Sequence, residues 1–303
     1  MDKSSPFLIV GHGDVIEMSL CDYFRRQGFR SVFSSTALRL DVLDRAAVER
    51  FFDTEKVEYV VLTSVRSGGI GANQAHPAEL ISENLQAQNN IIDVSFRRGV
   101  KKLLFLAASC IYPKDCSQPI KEECFLTGAM EKTSEPYSIA KAAGVVMCQA
   151  YRKQYGFPAI VAVPATVYGP GGEEDPKDAH VLSAMIMKFK EALRSGSQEV
   201  VFWGSGRPRR EFIFGDDLAS ACLFLLEKYD AGEPMNIGVG EDIEVKELAA
   251  LIKAVVGFKG ELRWDTSKSD GTLRKLLDNS RISSLGWRSK TSLAEGIEFV
   301  LKT

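Results

Sequence analysis

No pair of cysteines in this sequence has the spacing of a metal or redox motif. The six cysteines stand at 21, 110, 116, 124, 148 and 222, none as C-x-x-C, and only three histidines accompany them. That leaves no ligand set for a metal and points to a reducing, cytoplasmic setting. No run of about 18 apolar residues is present, and the apolar stretch after Met1 to Pro6 is too short for a signal h-region, so neither a membrane-spanning helix nor a secretory leader is expected. Charge of one sign is lacking too. With 38 Lys and Arg against 40 Asp and Glu, the net charge is -2 and the pI is near 6.1, which gives no electrostatic reason to expect nucleic acid or an anionic membrane as partner. The local basic group Arg207, Arg209 and Arg210 suits a small anionic ligand or a solvated loop. Internal repeats and low-complexity segments are absent.

What remains is an ordinary globular chain of 303 residues, 45% hydrophobic, long enough for one large α/β domain or two lobes. Apolar runs at Phe7 to Val10, Val57 to Leu62, Lys102 to Ala107 and Ala159 to Val163 alternate with helical patterns over 77–98 and 134–155. Such alternation predicts a Rossmann-like, doubly wound α/β fold with a parallel sheet. Its ligand edge would carry Gly11, Thr63 to Ser67, Ala108 to Tyr112 and Pro164 to Gly169. After Pro170 the reading is a loop over 171–176, a helix from His180 to Arg194 and short strands near 200–203 and 211–214. The expected division is a nucleotide-binding unit at 1–170 and a smaller, mostly substrate-binding lobe at 171–303. A core-packed helix from Asp216 to Tyr229 interleaves the two.

Glycine is scarce where a dinucleotide-binding turn needs it. After Phe7-Leu8-Ile9-Val10 the chain reads Gly11-His12-Gly13-Asp14-Val15-Ile16-Glu17. As G-x-G-x-x-G the turn has Gly11 and Gly13 but Ile16; as G-x-x-G-x-x-G it has Gly11, then Asp14 and Glu17. The missing glycines are those that let backbone N–H groups approach a pyrophosphate at a helix start. Asp14 and Glu17 spell D-x-x-E, a capping-box pattern in which carboxylates satisfy those N–H groups themselves. The expected result is a weak dinucleotide site, whether the acids exclude the phosphate or merely cap an exposed helix.

Tyr137 and Lys141 stand four apart on the helix predicted over 134–155 and share a face. A lysine there lowers the phenol pKa for proton transfer at a carbonyl oxygen. With eight tyrosines in the chain, one Y-x-x-x-K match carries little weight without its place after the Lys102 to Ala107 strand.

Further motifs add to it: Ser109-Cys110-Ile111-Tyr112-Pro113, Gln118-Pro119-Ile120, Tyr137-Ser138-Ile139-Ala140-Lys141, Tyr151 to Gly156, His180-Val181, Trp203-Gly204 and Asp265 to Gly271. Together they resemble the GDP-L-fucose synthase family, extended short-chain dehydrogenase/reductases, over nearly the whole chain. The resemblance implies inversion of C3 and C5 of GDP-4-keto-6-deoxy-D-mannose followed by NADPH reduction at C4. It implies Cys110 and His180 as the acid and base of epimerisation, with Tyr137 and Lys141 at the ketone. It further implies Gly11, Gly13, Arg39 and Lys141 on NADP(H), Lys188, Trp203, Arg210 and Lys268 on the substrate, and a homodimer through helices 77–98 and 134–155. From the residues alone, Cys110 also reads as a small buried hydrophobe, His180 as a helix-start residue and Trp203 as core.

Departures from the family gather on the cofactor side. Ala108 stands where the family has the triad serine, and Ser109, on an extended strand, would point to the opposite face. Thr166 replaces asparagine, and Arg39 is the only basic residue in the segment Phe33 to Arg39 that follows the second strand. The expected activity is therefore 3,5-epimerisation of a GDP-linked 4-keto sugar with the reduction weakened or lost. The alternatives are the complete epimerase-reductase and a non-catalytic nucleotide-sugar-binding or partner subunit.

Overall fold

The computed structural model describes residues 1–171, 179–268 and 270–302; most of the loop expected over 171–176 lies outside them. Strands β1 (Phe7–Val10), β2 (Val32–Ser34), β3 (Tyr59–Leu62), β4 (Lys102–Leu106) and β5 (Ala159–Pro164) alternate with helices α1 (Val15–Arg26), α2 (Arg45–Glu55), α3 (Ile70–Ala75), α4 (Pro77–Arg97) and α5 (Glu135–Tyr155). Then come β6 (Thr166–Tyr168), α6 (Val181–Ser195), β7 (Glu199–Trp203), β8 (Arg209–Arg210), β9 (Phe212–Phe214), α7 (Gly215–Lys228) and β10 (Met235–Ile237). The chain closes with β11 (Ile243–Glu244), α8 (Val245–Val256), β12 (Glu261–Asp265), β13 (Arg274–Lys275), α9 (Ser280–Ser284) and α10 (Leu293–Lys302).

Six strands form one parallel sheet in the order β10-β5-β4-β3-β1-β2. The apolar runs become central strands because helices cover both faces: every residue of β1 and of β5 is buried. The chain steps outward from β1 to β2 and then crosses back to β3, so the order reverses at the β1–β3 seam. Its carboxyl ends, at Gly11 and Thr63, therefore flank the crevice where sheets of this kind hold ligands. The sixth strand, β10, comes from the second half of the chain and pairs with β5, and α7 packs on α1. A second core of Tyr168, Phe189, Phe202, Phe212, Leu248 and Phe258 lies beneath the remaining C-terminal elements. Among the described residues no helix is long and apolar enough to cross a membrane.

Helices α4 and α5 pack closely, and Gly144 marks their tightest point. A β-carbon there would strike the Phe105 ring of β4 and lie 2.7 Å from Gln88 Oε1 of α4. Helix α5 approaches the sheet closely because this position has no side chain. Gly144→Ala is expected to cost about 1–3 kcal/mol, as overpacked cores do, and to lower the midpoint of urea unfolding without changing its slope.

Candidate active site

A cleft of about 470 Å³ opens at the carboxyl edge, between the main sheet and the C-terminal lobe. A second hollow, beside Met1, Lys101 and Lys102 at the opposite end of the strands, brings no comparable group of residues together. The cleft is lined by Ser109 and Cys110 after β4, by Tyr137 in the first turn of α5, and by His180 and Lys188 of α6. Trp203, Arg210 and Lys275 stand at its outer end. Elements far apart in sequence thus deliver three of the four residues expected at the reacting carbons, Cys110, Tyr137 and His180, to one cleft, while the fourth, Lys141, is buried one turn along α5 from Tyr137.

Lys141 is fully buried. Its Nζ donates to the Thr63 carbonyl at 3.2 Å and lies 4.3 Å from the Phe105 ring centroid. Burial without a carboxylate partner brings its pKa down from 10.5 to about 7. One turn earlier, the Tyr137 phenol shares a 2.7 Å hydrogen bond with Ser64 Oγ. Burial and the nearby Cys110 thiol raise its pKa, and the Ser64 bond opposes them only in part. This corrects the expectation that Lys141 lowers the phenol. The lysine is aimed at a backbone carbonyl and has lost much of the charge that would do so. Tyr137 instead keeps its proton and lines the cleft.

Ser109 also departs from its expected place. The strand ends at Leu106, and Ser109 to Ile111 form a 3₁₀ turn. The alternation of an extended strand therefore does not apply, and Ser109 and Cys110 both line the cleft. Thr166 lines it as well. His180 is the N-cap residue of α6 and, like Cys110, is half-buried.

At the outer end three cations stand half-buried. Burial lowers the pKa of Lys188, whose Nζ donates to the Val201 carbonyl at 2.8 Å. It does the same to Arg210, against the opposing pull of Asp270 and Glu131, and to Lys275, which neighbours Cys110. An anion entering here would favour the charged forms that desolvation disfavours. Lys275 pairs in register with Arg210 across β8 and β13, a long-range pairing that carries no local sequence signal. Trp203 is 56% exposed, which rules out the core reading. Lys268 is exposed, outside the cleft wall, with its Nζ 5.6 Å from the Trp203 ring. Arg209, of the basic group, is committed to Asp242 at 2.7 Å.

The turn after β1 is closed by its own side chains. Asp14 caps α1 by accepting from Glu17 N at 3.0 Å. Glu17 does not complete the box. Its carboxylate turns inward, 1% exposed, and Oε2 accepts from Gly13 N at 2.7 Å and Thr36 Oγ1 at 2.6 Å. Oε1 accepts from Ser34 Oγ at 2.7 Å and Thr36 N at 3.2 Å. The exposed-helix reading of these acids is thereby overturned. Gly11 N donates to Ser35 Oγ at 3.1 Å, and a β-carbon on Gly11 would sit 2.8 Å from Glu17 Cβ. Gly13 has φ +82°, a conformation that favours glycine. Arg39 is exposed and outside the cleft wall.

Residues 7–238 match the NAD dependent epimerase/dehydratase family. GDP-L-fucose synthase 1 of Arabidopsis thaliana is 48% identical over 296 residues, covering 98% of this chain and 92% of its own length. A GDP-6-OMe-4-keto-L-xylo-heptose reductase from C. jejuni superposes with a TM-score of 0.93 at 34% identity, covering 100% of this chain and 98% of its own. A GDP-mannoheptose C4 reductase from Campylobacter jejuni with NADP bound gives 0.90 at 36% identity, covering 100% and 98%. The chain belongs to the NAD dependent epimerase/dehydratase family, as a member of the GDP-L-fucose synthase group that its motifs resemble. Family membership implies a nicotinamide dinucleotide. The residues of this turn do not fit its pyrophosphate, because Ser35, Glu17 and Asp14 already accept from the N–H groups of Gly11, Gly13 and Glu17.

The Lys141 pKa gives a pH-dependent prediction. Below pH 7 the lysine is charged in both folded and unfolded chains, and the penalty of burying charge is fully present. Between about pH 7 and 10.5 the unfolded chain holds more protons, so the penalty fades as pH rises. Lys141→Met removes that penalty, bounded at about 5 kcal/mol. Its stability relative to the parent, measured by urea unfolding, is expected to be most favourable at pH 7 and below and to decline steadily toward pH 10.

Proposed function

We propose that this family member acts on a GDP-linked 4-keto sugar and moves protons at the carbons flanking the ketone. The observation that carries this reading is the convergence of Cys110, Tyr137 and His180 on one cleft whose outer end is lined by Lys188, Arg210 and Lys275. A ketone at C4 acidifies the hydrogens at C3 and C5, so inversion needs a base, an acid on the other face and a donor at the developing enolate oxygen. Cys110 and His180 supply the pair, approaching from different walls. Tyr137, kept protonated by its raised pKa, donates to the oxygen. Ser109 and Thr166, which also line the cleft, offer hydroxyls where Ala108 has none. The three cations hold the diphosphate and Trp203 flanks it.

A second reading, the complete epimerase-reductase that also reduces C4 with NADPH, is favoured by the names of the relatives. One is a GDP-L-fucose synthase, and another is a C4 reductase with NADP bound. None of these relatives supports loss of the cofactor. The contrary observation is confined to this chain's own turn.

Incubating the full chain with GDP-4-keto-6-deoxy-mannose in heavy water, without added dinucleotide, is expected to place deuterium at C3 and C5. Cys110→Ser and His180→Gln should each slow exchange by roughly 10²-fold or more. Absence of exchange, or exchange indifferent to both substitutions, would overturn the epimerase reading and leave a binding subunit. Stoichiometric C4 reduction on adding NADPH would assign the complete reaction.

A further inference from the structure

We infer that Glu17 is a resident anion of the dinucleotide subsite, closing it to a pyrophosphate cofactor. In a βαβ unit the first turn receives the pyrophosphate on its N–H groups, and the end of the second strand receives the adenosine ribose. In this chain one carboxylate reaches both places. Oε2 takes Gly13 N from the turn, and Oε1 takes Ser34 Oγ and Thr36 N from the end of β2. Thr36 Oγ1 closes the ring at 2.6 Å on Oε2.

This carboxylate is built in, not incidentally near. Ser34, Ser35 and Thr36 present three consecutive hydroxyls, and each donates to Glu17, Ser35 at the longest distance of 3.4 Å. Among the described residues no lysine or arginine pairs with it, so its charge is held by neutral donors, as a bound phosphate would be. Ser35 Oγ meanwhile accepts from Gly11 N. A phosphate brought to the turn would find the N–H groups of Gly11, Gly13 and Glu17 already taken and would face two carboxylates, Asp14 and Glu17. The ring of hydrogen bonds also fills the space, since even a methyl group on Gly11 would collide with Glu17.

The seam beyond the turn is tied in the same way. His12 Nδ1 lies 2.9 Å from the Ser64 carbonyl and Nε2 lies 3.2 Å from Ser67 Oγ, while Ser64 Oγ holds Tyr137. These bonds tie the turn to Tyr137 across the β1–β3 seam, along the cleft wall formed by Asp14, Ser64 and Ser67. The inference goes beyond the sugar chemistry proposed above and can fail separately from it, since it concerns only what the turn admits.

Titration of the full chain with NADPH, and separately with NADH, followed by protein and cofactor fluorescence, tests it. The parent chain is expected to bind neither tighter than about 1 mM. Asp14→Gly/Glu17→Gly frees the N–H groups and should bind at least tenfold tighter. Glu17→Gln, which keeps the shape and most of the hydrogen bonds, should remain closed. Parent binding at about 10 μM or tighter, or a folded double glycine variant with no gain, overturns the inference. Should the double variant fail to fold by circular dichroism, the parent and Glu17→Gln titrations decide: two closed chains sustain the inference, and a parent that binds overturns it. Deuterium exchange into the sugar, measured on the same parent preparation, reports on the proposed function independently.

Discussion

Buried N–H groups must find acceptors, and at the start of α1 that requirement is met from within the chain. Ser35, Glu17 and Asp14 accept from the N–H groups of Gly11, Gly13 and Glu17, and Ser34 and Thr36 tie the Glu17 carboxylate to β2. The turn joins the two strands on one side of the β1–β3 seam, so its closure fixes one wall of the ligand crevice. It also fixes the path of Gly11, which has room for no side chain. The geometry of the carboxyl edge therefore follows from an acid where a fold of this kind ordinarily keeps space for a phosphate.

The other wall of the crevice follows a different rule. Cys110, Tyr137, His180 and three cations line a cleft open between the sheet and the C-terminal lobe, and burial moves the phenol and the cations. Lys141 is brought to about 7, the Tyr137 phenol is raised, and Lys188, Arg210 and Lys275 are all lowered. Tyr137, Lys188, Arg210 and Lys275 face one cavity, and displaced groups gathered in this way cluster at functional sites. One wall thus gathers Cys110, Tyr137 and His180, and the other carries the inward-turned Glu17 carboxylate.

Much of this was legible in the sequence. Strands β1, β3, β4 and β5 read as continuous apolar runs because parallel strands are buried on both faces, and α4 and α5 fall within a residue of their expected bounds. The shared face of Tyr137 and Lys141 follows from helical spacing alone. What stayed hidden depended on directions that spacing does not encode. The pattern Asp14-x-x-Glu17 marks a helix start but does not say that Glu17 turns inward to β2. Ser109 was misplaced because the strand ends three residues before it. Lys275 was missed because only the pairing of β13 with β8 brings it to the cleft. No helix was expected over 45–55, 245–256 or 293–302, where α2, α8 and α10 form on amphipathic segments.

The central claim, that this chain holds its own anion in place of a dinucleotide, is tested most directly by what the purified protein carries. Denaturing the freshly purified chain and analysing the supernatant for nucleotide by ultraviolet absorbance and mass spectrometry should release no NADP(H) or NAD(H). Release of either at a stoichiometry approaching one per chain would contradict the account.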